Sequence, residues 1–304
     1  MLLDNFKNYK INIENISPKS VVQYNTDLTR MFEYLKKDVN SDKDIVGLKA
    51  NDVKVYIEHL ASENKEPTTR NKCLAIVKSF YKYLYSEENI EIDNRILFIK
   101  RAKGKHKEPL WFEKEDMEKY IQTIQCTRIK AMVEMLYHTG MRYSEMINIT
   151  LTDFFNGNAI INGKGNKQRK VYFGNEELQN VVYDYILNKR EKIIERTHKE
   201  TDLLFINNNG NKMIAQNFIR SLKDSARNLD RGQEMSPHKL RHSFITNALL
   251  NGEPISVVRD AVGHSSISVT NNYAHTTKKS IENLMNSTKK EEELEDDKRM
   301  LGLA

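Results

Sequence analysis

The spacing of apolar side chains near the N-terminus constrains the fold of this chain more than any other feature. After Ser17-Pro18, apolar residues recur at steps of three and four, which is the spacing of one buried helical face and not of a strand. Ser17 suits an N-cap, and Pro18 suits the first position of a helix. The stripe consists of Val21, Tyr24, Leu28, Met31, Phe32 and Leu35. The pattern predicts a long amphipathic helix.

Two further stripes of the same kind follow before residue 99. The second helix is predicted to open at Asn51 and Asp52, and the third to be capped by Thr68 or Thr69. Their apolar faces consist of Val53, Tyr56, Ile57, Leu60 and Ala61, and of Leu74, Val77, Tyr81 and Leu84. The whole chain of 304 residues has only five prolines and twelve glycines, which favours helices over long loops. Residues 1–99 are therefore predicted to form a small helical bundle.

A short basic segment follows this bundle. Residues 100–107, KRAKGKHK, carry five of the positive side chains and no acidic one, although the whole chain has a net charge of only +6. The glycine and the following Pro109 are typical of an exposed connector, so 100–109 is predicted as a linker. It is either a plain solvated connector or a strap that neutralises DNA phosphates. Its charged residues are Lys100, Arg101, Lys103, Lys105 and Lys107.

Several classes of protein are disfavoured by the composition. No apolar run approaches the ~20 residues of a membrane span, and the first ten residues lack a secretory apolar region. The two cysteines, Cys73 and Cys126, have neither the spacing of a metal site nor that of a disulfide framework. We therefore expect a cytoplasmic protein without a membrane partner.

The pattern changes after Pro109. Two helical stripes precede Gly140, where the second helix is expected to stop. Two short apolar segments, 159–161 and 170–173, are separated by the turn GKGNKQ and predict an antiparallel hairpin. A long helix is predicted from about Glu176 to Arg196, with further helices beyond it. Residues 110–288 thus form a second unit that is mainly α with a small antiparallel β-sheet, and 289–304 form a charged tail.

Several polar residues of this unit suit the binding of an anion. In SPHKLRHSF, His238 and Arg241 are three apart, so they share one face at the positive end of a helix. A zinc site is the alternative, because His242 lies four residues after His238. Lys239 prevents an HExxH pattern, and no acid or cysteine adjoins the pair, so no metal is predicted.

The order of these motifs resembles that of the tyrosine recombinase, or phage integrase, family. TGMRYSE is similar to its first arginine motif, GKGNKQR to its lysine hairpin, and HKLRH to its HxxR box. VGHSS and NNYAH are similar to its closing segments. The resemblance extends to the N-terminal helices, and it implies a helical, SAM-like core-binding domain at 1–99 followed by a catalytic domain at 110–288.

The resemblance also implies a role for each polar residue. Tyr273 would be the nucleophile that attacks a phosphodiester, and Arg142 and Arg241 would hold the oxygens on which negative charge develops. His238 and His264 would exchange protons or contact the phosphate, and Lys164 would protonate the departing 5′-oxygen. Glu145 would orient an arginine or histidine, unless it merely caps its own helix. Lys167 and Arg169 would bind DNA. The phosphotyrosyl bond keeps the energy of the broken linkage, so no cofactor, metal or ATP is expected.

The implied partner is double-stranded DNA with paired inverted half-sites, on which four copies of the chain would exchange strands through a Holliday junction. A topoisomerase of type IB, which reseals the original strand, and a non-enzymatic DNA-binding protein are the alternatives. Because the N-terminal segment is short, no additional arm-binding domain is expected. The motifs fit chromosome dimer resolution and the integration or excision of a mobile element equally well.

Overall fold

The computed structural model describes residues 1–38, 44–104, 110–163, 168–229 and 231–263. The chain divides into two compact units, Met1–Lys107 and Glu108–Ala304. Within the described ranges, no helix combines the length and the apolar character that crossing a membrane requires. Some predictions lie outside the described residues: Lys105, Lys107, Lys164, Lys167, His264, Tyr273 and the tail 289–304.

The first unit is the helical bundle that the apolar spacing predicts. Its helices are α1 (Leu2–Asn12), α2 (Pro18–Lys37), α3 (Ala50–Ser62) and α4 (Pro67–Ser86), followed by a 3₁₀ turn, Asn94–Phe98. The predicted stripes face one shared core, in which Phe6 meets Phe80 edge-on with the ring centroids 5.2 Å apart. Large side chains that are almost fully buried there are Phe6, Leu28, Met31, Leu35, Tyr56, Phe80 and Tyr81.

The helix starts of this unit follow local backbone chemistry. The Ser17 hydroxyl accepts a hydrogen bond from the Ser20 N–H, and Pro18 takes the first helical position, as predicted. The predicted start of α4 at Thr68 or Thr69 is wrong. The helix begins at Pro67 with Glu66 as its N-cap. The ring of proline fixes φ at a helical value. Proline has no backbone N–H, but the N–H groups of the first helical turn have no partner within the helix, so nothing is lost.

The second unit is mainly α with one small sheet, which confirms the predicted fold class. Strands β1 (Asn158–Asn162) and β2 (Gln168–Tyr172) are antiparallel, with Asn158 opposite Tyr172 and Asn162 opposite Gln168. The predicted long helix is continuous but carries a π-helical segment, Ile186–Arg190. A 3₁₀ turn, Gly232–Glu234, precedes α12. The helices are α5 (Lys114–Thr123), α6 (Thr127–Thr139), α7 (Tyr143–Met146), α8 (Leu151–Phe155), α9 (Glu176–Tyr185), α10 (Glu191–Thr197), α11 (Ala215–Ser225), α12 (Pro237–Leu250) and α13 (Ile255–Val262).

Helix α6 is central to the second unit. It packs against both α9 and α12, and its Met132, Val133 and Leu136 side chains are fully buried. A smaller apolar cluster of Ile245, Val258 and Val262 joins α12 to α13. The C-terminal ends of α6 and α13 are therefore held beside α12, the helix that carries His238 and Arg241.

The core of the first unit allows a stability prediction at Leu28. Leu28 is fully buried, whereas Val22 on the same helix is 67% exposed. Leu28→Ala should lower the free energy of unfolding of this unit by about 2–5 kcal/mol, because a cavity adds to the lost transfer energy. Val22→Ala should change it by less than about 0.5 kcal/mol.

Urea titrations of the full chain would measure both effects by circular dichroism. The sequence has a single tryptophan, Trp111, in the second unit, so its fluorescence follows that unit separately. Equal losses for the two variants would contradict the assignment of Leu28 to the core.

Candidate active site

A left-handed turn at Gly140 brings Arg142 to the surface. Gly140 ends α6 with φ of +60°, a conformation that side-chain-bearing residues rarely adopt. A Cβ atom at this position would lie only 2.4 Å from the Phe244 ring of α12. The residue must therefore be glycine for both conformational and steric reasons.

The neighbours of Arg142 fix its backbone. Met141 is fully buried in the core, and the Tyr143 ring stacks on Phe218 of α11 with the centroids 5.3 Å apart. The Arg142 side chain between them is 45% exposed. A cation on a rigid backbone thus faces solvent, where it is accessible to an anion.

Glu145, one turn after Arg142, accepts four hydrogen bonds with its carboxylate. Oε1 accepts from Arg142 Nη1 at 2.8 Å and from Arg169 Nη1 at 3.2 Å. Oε2 accepts from the Arg142 backbone N–H at 2.7 Å and from Arg169 Nη2 at 2.6 Å. Burial would raise the pKa of Glu145, but the hydrogen bonds from Arg169 and Arg142 outweigh it and lower the pKa to about 2. Glu145 is therefore ionised, and it both caps its own helix and orients an arginine.

Arg169 on β2 has protein partners in the structure. Besides the two bonds to Glu145, its Nε donates to the Ala261 carbonyl oxygen at 3.0 Å, near the C-terminal end of α13. Its side chain is only 9% exposed. The sequence assigns Arg169 to DNA binding, but in the structure three of its five N–H groups donate to protein atoms.

Arg241 joins the ends of two helices. Its side chain is buried, at 3% exposure, and its Nη1 donates to the Gly140 carbonyl at 2.6 Å. Its Nη2 donates to the Val262 carbonyl at 2.7 Å. Both acceptors belong to helix C-termini, where carbonyl groups lack helical partners and carry partial negative charge. The turn before Arg142 and the end of α13 are thus held by one guanidinium group.

His238 lies at the positive end of α12. Ser236 caps this helix by accepting a hydrogen bond from the Lys239 N–H at 3.3 Å, and Pro237 takes the first helical position. Partial desolvation and the positive charges of Arg241 and Arg142 lower the pKa of His238. The imidazole is therefore biased towards its neutral form, in which it can accept a proton.

His242 is hydrogen-bonded to His238, with their Nε2 atoms 3.0 Å apart. Desolvation and the charges of His238 and Arg241 lower the pKa of His242 to about 4. Within the described ranges, no group of three histidine, cysteine, aspartate or glutamate side chains is arranged to hold a metal ion.

A cleft of about 1100 Å³ lies between α7, the hairpin and α13. Its lining includes Arg142, Glu145, Asn162, Gly163, Arg169 and Gly263. Among the described residues, three arginines and three carboxylates line the cleft, and both Arg142 and Arg169 are fixed by hydrogen bonds to Glu145. Such an arrangement can stabilise negative charge that develops on a bound phosphate without reorganising during the reaction.

The predicted site residues divide into two groups. The structure brings Arg142, Glu145, Arg169, His238 and Arg241 together in the second unit. Lys164, Lys167, His264 and Tyr273 lie outside the described residues, so their predicted roles remain predictions. In the first unit, Lys100, Arg101 and Lys103 are exposed.

Sequence reasoning missed three features of the site. His242 was considered only as a zinc ligand, although its spacing from His238 also allows a hydrogen bond on one helical face. The bonds of Arg169 to Glu145 and Ala261 join residues far apart in sequence. The same is true of the carbonyl groups that bind Arg241, and no local pattern signals such contacts.

The chain matches known families over most of its length. Residues 110–280 match the phage integrase family, and residues 3–88 match the phage integrase N-terminal SAM-like domain. The tyrosine recombinase XerD of Halalkalibacterium halodurans is 30% identical over 91% of this chain and 93% of its own length. The tyrosine recombinase XerC of Listeria welshimeri is 31% identical over 90% of this chain and 92% of its own length.

Two groups of solved structures share the fold. The XerH site-specific recombinase bound to palindromic difH substrate has a TM-score of 0.69 and 21% identity, covering 93% of this chain and 83% of that one. The Tn1549 transposon integrase in complex with a circular intermediate DNA has a TM-score of 0.66 and 18% identity, covering 90% of this chain and 94% of that one. At these identities the likeness concerns the fold alone.

The Gly140 turn gives a prediction with a matched control. Gly140 and Gly157 both have positive φ, but a Cβ at Gly157 would meet no atom within 4 Å. Gly157→Ala should therefore cost only backbone strain, about 1–2 kcal/mol. Gly140→Ala should cost about 1–3 kcal/mol more, because the new methyl group overlaps the Phe244 ring.

Urea unfolding followed by Trp111 fluorescence would compare the two variants, since both positions lie in the second unit. If Gly140→Ala were as stable as Gly157→Ala, the contact between this turn and α12 would be refuted.

Proposed function

Because the chain belongs to the phage integrase family and is a site-specific tyrosine recombinase that cleaves and rejoins DNA strands, we propose that Tyr273 is its nucleophile. The observation that carries the proposal is the joint placement of Arg142, His238 and Arg241, which follow in the order of the family motifs and lie within electrostatic reach of one another. These are the groups that a phosphate needs while its phosphorus is attacked.

The proposed step transfers a phosphoryl group of the DNA strand from the 5′-oxygen to the Tyr273 oxygen. The Tyr273 oxygen attacks the phosphorus and loses its proton to His238 or His264, because a phenol with a pKa of about 10 is a poor nucleophile when neutral. Arg142 and Arg241 stabilise the negative charge on the non-bridging oxygens. The bond to the 5′-oxygen breaks, and the Lys164 ammonium group protonates that oxygen.

The product of this step is a 3′-phosphotyrosine and a free 5′-hydroxyl. A 5′-hydroxyl from a second duplex then reverses the reaction on the new strand. Since one phosphodiester replaces another, neither ATP nor a metal ion is required by the proposed chemistry.

DNA binding is proposed for the basic linker at 100–109. Asn71 of α4 supports this role, because its amide donates to the Ala102 carbonyl at 2.9 Å and accepts from the Ala102 N–H at 2.8 Å. These two hydrogen bonds fix the backbone between Arg101 and Lys103, whose side chains are exposed. Fixed cations lose less conformational entropy on binding phosphates than mobile ones.

The domain assignment is part of the proposal. Residues 1–99 would form the core-binding domain, 110–288 the catalytic domain, and 289–304 a charged tail. Lys105, Lys107 and Lys167 are proposed as further phosphate contacts.

The proposed substrate is double-stranded DNA with paired inverted half-sites, bound by four copies of the chain. Strand exchange between two duplexes uses four nucleophiles, which supports a tetramer. The XerH relative was crystallised on a palindromic substrate, in agreement with inverted half-sites. Such a substrate is found in the cytoplasm of bacteria such as those of the relatives. Dimer resolution and the integration or excision of an element would use the same chemistry.

Substitution of Tyr273 tests the nucleophile. Tyr273→Phe removes one oxygen and keeps the ring, so it should abolish covalent attachment to DNA and leave binding within about twofold of wild type. The DNA would be an inverted repeat that wild-type protein selects from a random duplex pool, nicked so that the cleaved fragment is released. Denaturing electrophoresis measures attachment, and gel shift measures binding.

The same assay, run in EDTA, provides a control for the proposed metal-free chemistry. Wild-type protein should form the adduct at an unchanged rate. A covalent adduct with the phenylalanine variant, or loss of wild-type activity in EDTA, would overturn the mechanism.

A second substitution tests the role of Lys164. Lys164→Ala should slow cleavage of an ordinary strand by about 10²–10⁴-fold, the usual contribution of a general acid. A strand with sulfur in the 5′-bridging position should be affected by less than about tenfold, because a thiolate leaves without a proton. Parallel single-turnover time courses on the two substrates measure the ratio, and equal losses would rule out Lys164 as the acid.

A further inference from the structure

We propose that Arg169 is a positioning residue that leaves the charge of Arg142 available to the scissile phosphate, rather than a residue that binds DNA itself. The inference rests on the proposed function, in which Arg142 stabilises the phosphate. It concerns the hydrogen bonds that Glu145 shares between the two arginines.

The geometry fixes Glu145 between the two arginines. Arg169 Nη1 and Nη2 bond to the two carboxylate oxygens as a parallel fork, which is the strongest arrangement for this pair. The Arg142 backbone N–H and Nη1 occupy the remaining acceptor positions. A carboxylate has about four such positions, so Glu145 is saturated and cannot turn towards DNA.

The charges of the three residues then have a definite effect. By itself, the Glu145 carboxylate would neutralise Arg142 and weaken its attraction for a phosphate. Arg169 supplies a second positive charge to the carboxylate from the buried side, where water screens it little. The group therefore carries a net charge of +1, and its exposed cation is Arg142, with 45% of that side chain accessible against 9% for Arg169.

Arg169 also joins three elements around the cleft. It lies on β2, which begins at Gln168. It contacts α7 through Glu145 and the end of α13 through the Ala261 carbonyl. Gly263 faces the same side chain, since a Cβ there would lie 3.0 Å from Arg169 Cδ and Nη1. The strand that follows Lys164 and the helix end that precedes His264 are therefore fixed to Arg142.

A direct phosphate contact is the competing role. For Arg169, three of the five N–H groups bond to protein atoms, and two of these form the fork on Glu145 that a phosphate contact would have to break. The neighbouring Lys170 has the opposite orientation on the strand and is exposed, with its Nζ 5.3 Å from the Tyr172 ring centroid. Lys170 is thus a matched control for the loss of a charge from this strand.

The test compares Arg169→Met with Lys170→Met in single-turnover cleavage of the nicked inverted repeat. Arg169→Met should slow adduct formation by about 10- to 100-fold, as expected for the loss of a charge-assisted fork. Its affinity for the uncleaved duplex should fall by no more than about tenfold, because the other phosphate contacts of the bound DNA are kept. Lys170→Met should cleave at a rate within about threefold of wild type.

A double variant separates charge compensation from simple packing. In Glu145→Gln/Arg169→Met the net charge of the group returns to that of wild type, so it should cleave faster than Arg169→Met by about fivefold or more. If the double variant is no faster than Arg169→Met, Arg169 acts through packing or by binding phosphate itself, and the proposal is wrong. Arg169→Lys, which keeps the charge but loses the fork, should fall between wild type and Arg169→Met.

The outcomes distinguish this proposal from the proposed function. Failure of wild-type protein to form an adduct would refute the function. A wild-type adduct together with an unchanged rate for Arg169→Met, or with no recovery of the rate in Glu145→Gln/Arg169→Met, would refute only the role of Arg169. Circular dichroism of each variant shows whether a slow variant is folded.

Discussion

The arrangement of the candidate active site depends on one buried guanidinium group. Arg241 donates hydrogen bonds to carbonyl groups at the C-terminal ends of α6 and α13, where such groups have no helical partner. A buried arginine is costly unless its N–H groups are hydrogen-bonded, and these two carbonyls each accept a bond from it while gaining a favourable charge. The two chain segments that continue towards Arg142 and towards residue 264 are therefore fixed by the same group.

The cations of the site are kept close together by hydrogen bonds to the protein. Desolvation and the positive charges of Arg241 and Arg142 lower the pKa of His238, and the two arginines also repel each other. Helix-end carbonyls and the Glu145 carboxylate offset part of this repulsion without removing the net positive charge. A phosphate that binds there offsets the remaining repulsion. The unfavourable free energy of bringing the cations together is therefore part of folding and does not add to the barrier of the reaction.

Much of the fold could be predicted because it depends on local patterns. The spacing of apolar residues correctly predicted a helix at α2, and the short apolar runs around residues 160 and 171 correctly predicted strands. The two could be told apart because side chains repeat about every 3.6 residues in a helix and every two in a strand. The start of α4 was missed because a threonine cap and a proline at the first turn are both good local signals, and the backbone adopted the second. The π-helical segment, Ile186–Arg190, has no sequence signal of that kind.

The identity of the polar site residues also followed from the sequence, because ordered motifs such as TGMRYSE and HKLRH mark them. The hydrogen-bond partners of these residues could not be predicted from the sequence. The sequence by itself determined that a helical unit is followed by a mainly helical unit with a small hairpin, and that Arg142, His238 and Arg241 belong to one chemistry. Only the tertiary structure decided that Arg169 bonds to Glu145 and that Arg241 bonds to two helix ends. These contacts join residues 21 to 101 positions apart, and such pairs meet only when the packing of whole helices sets their distance.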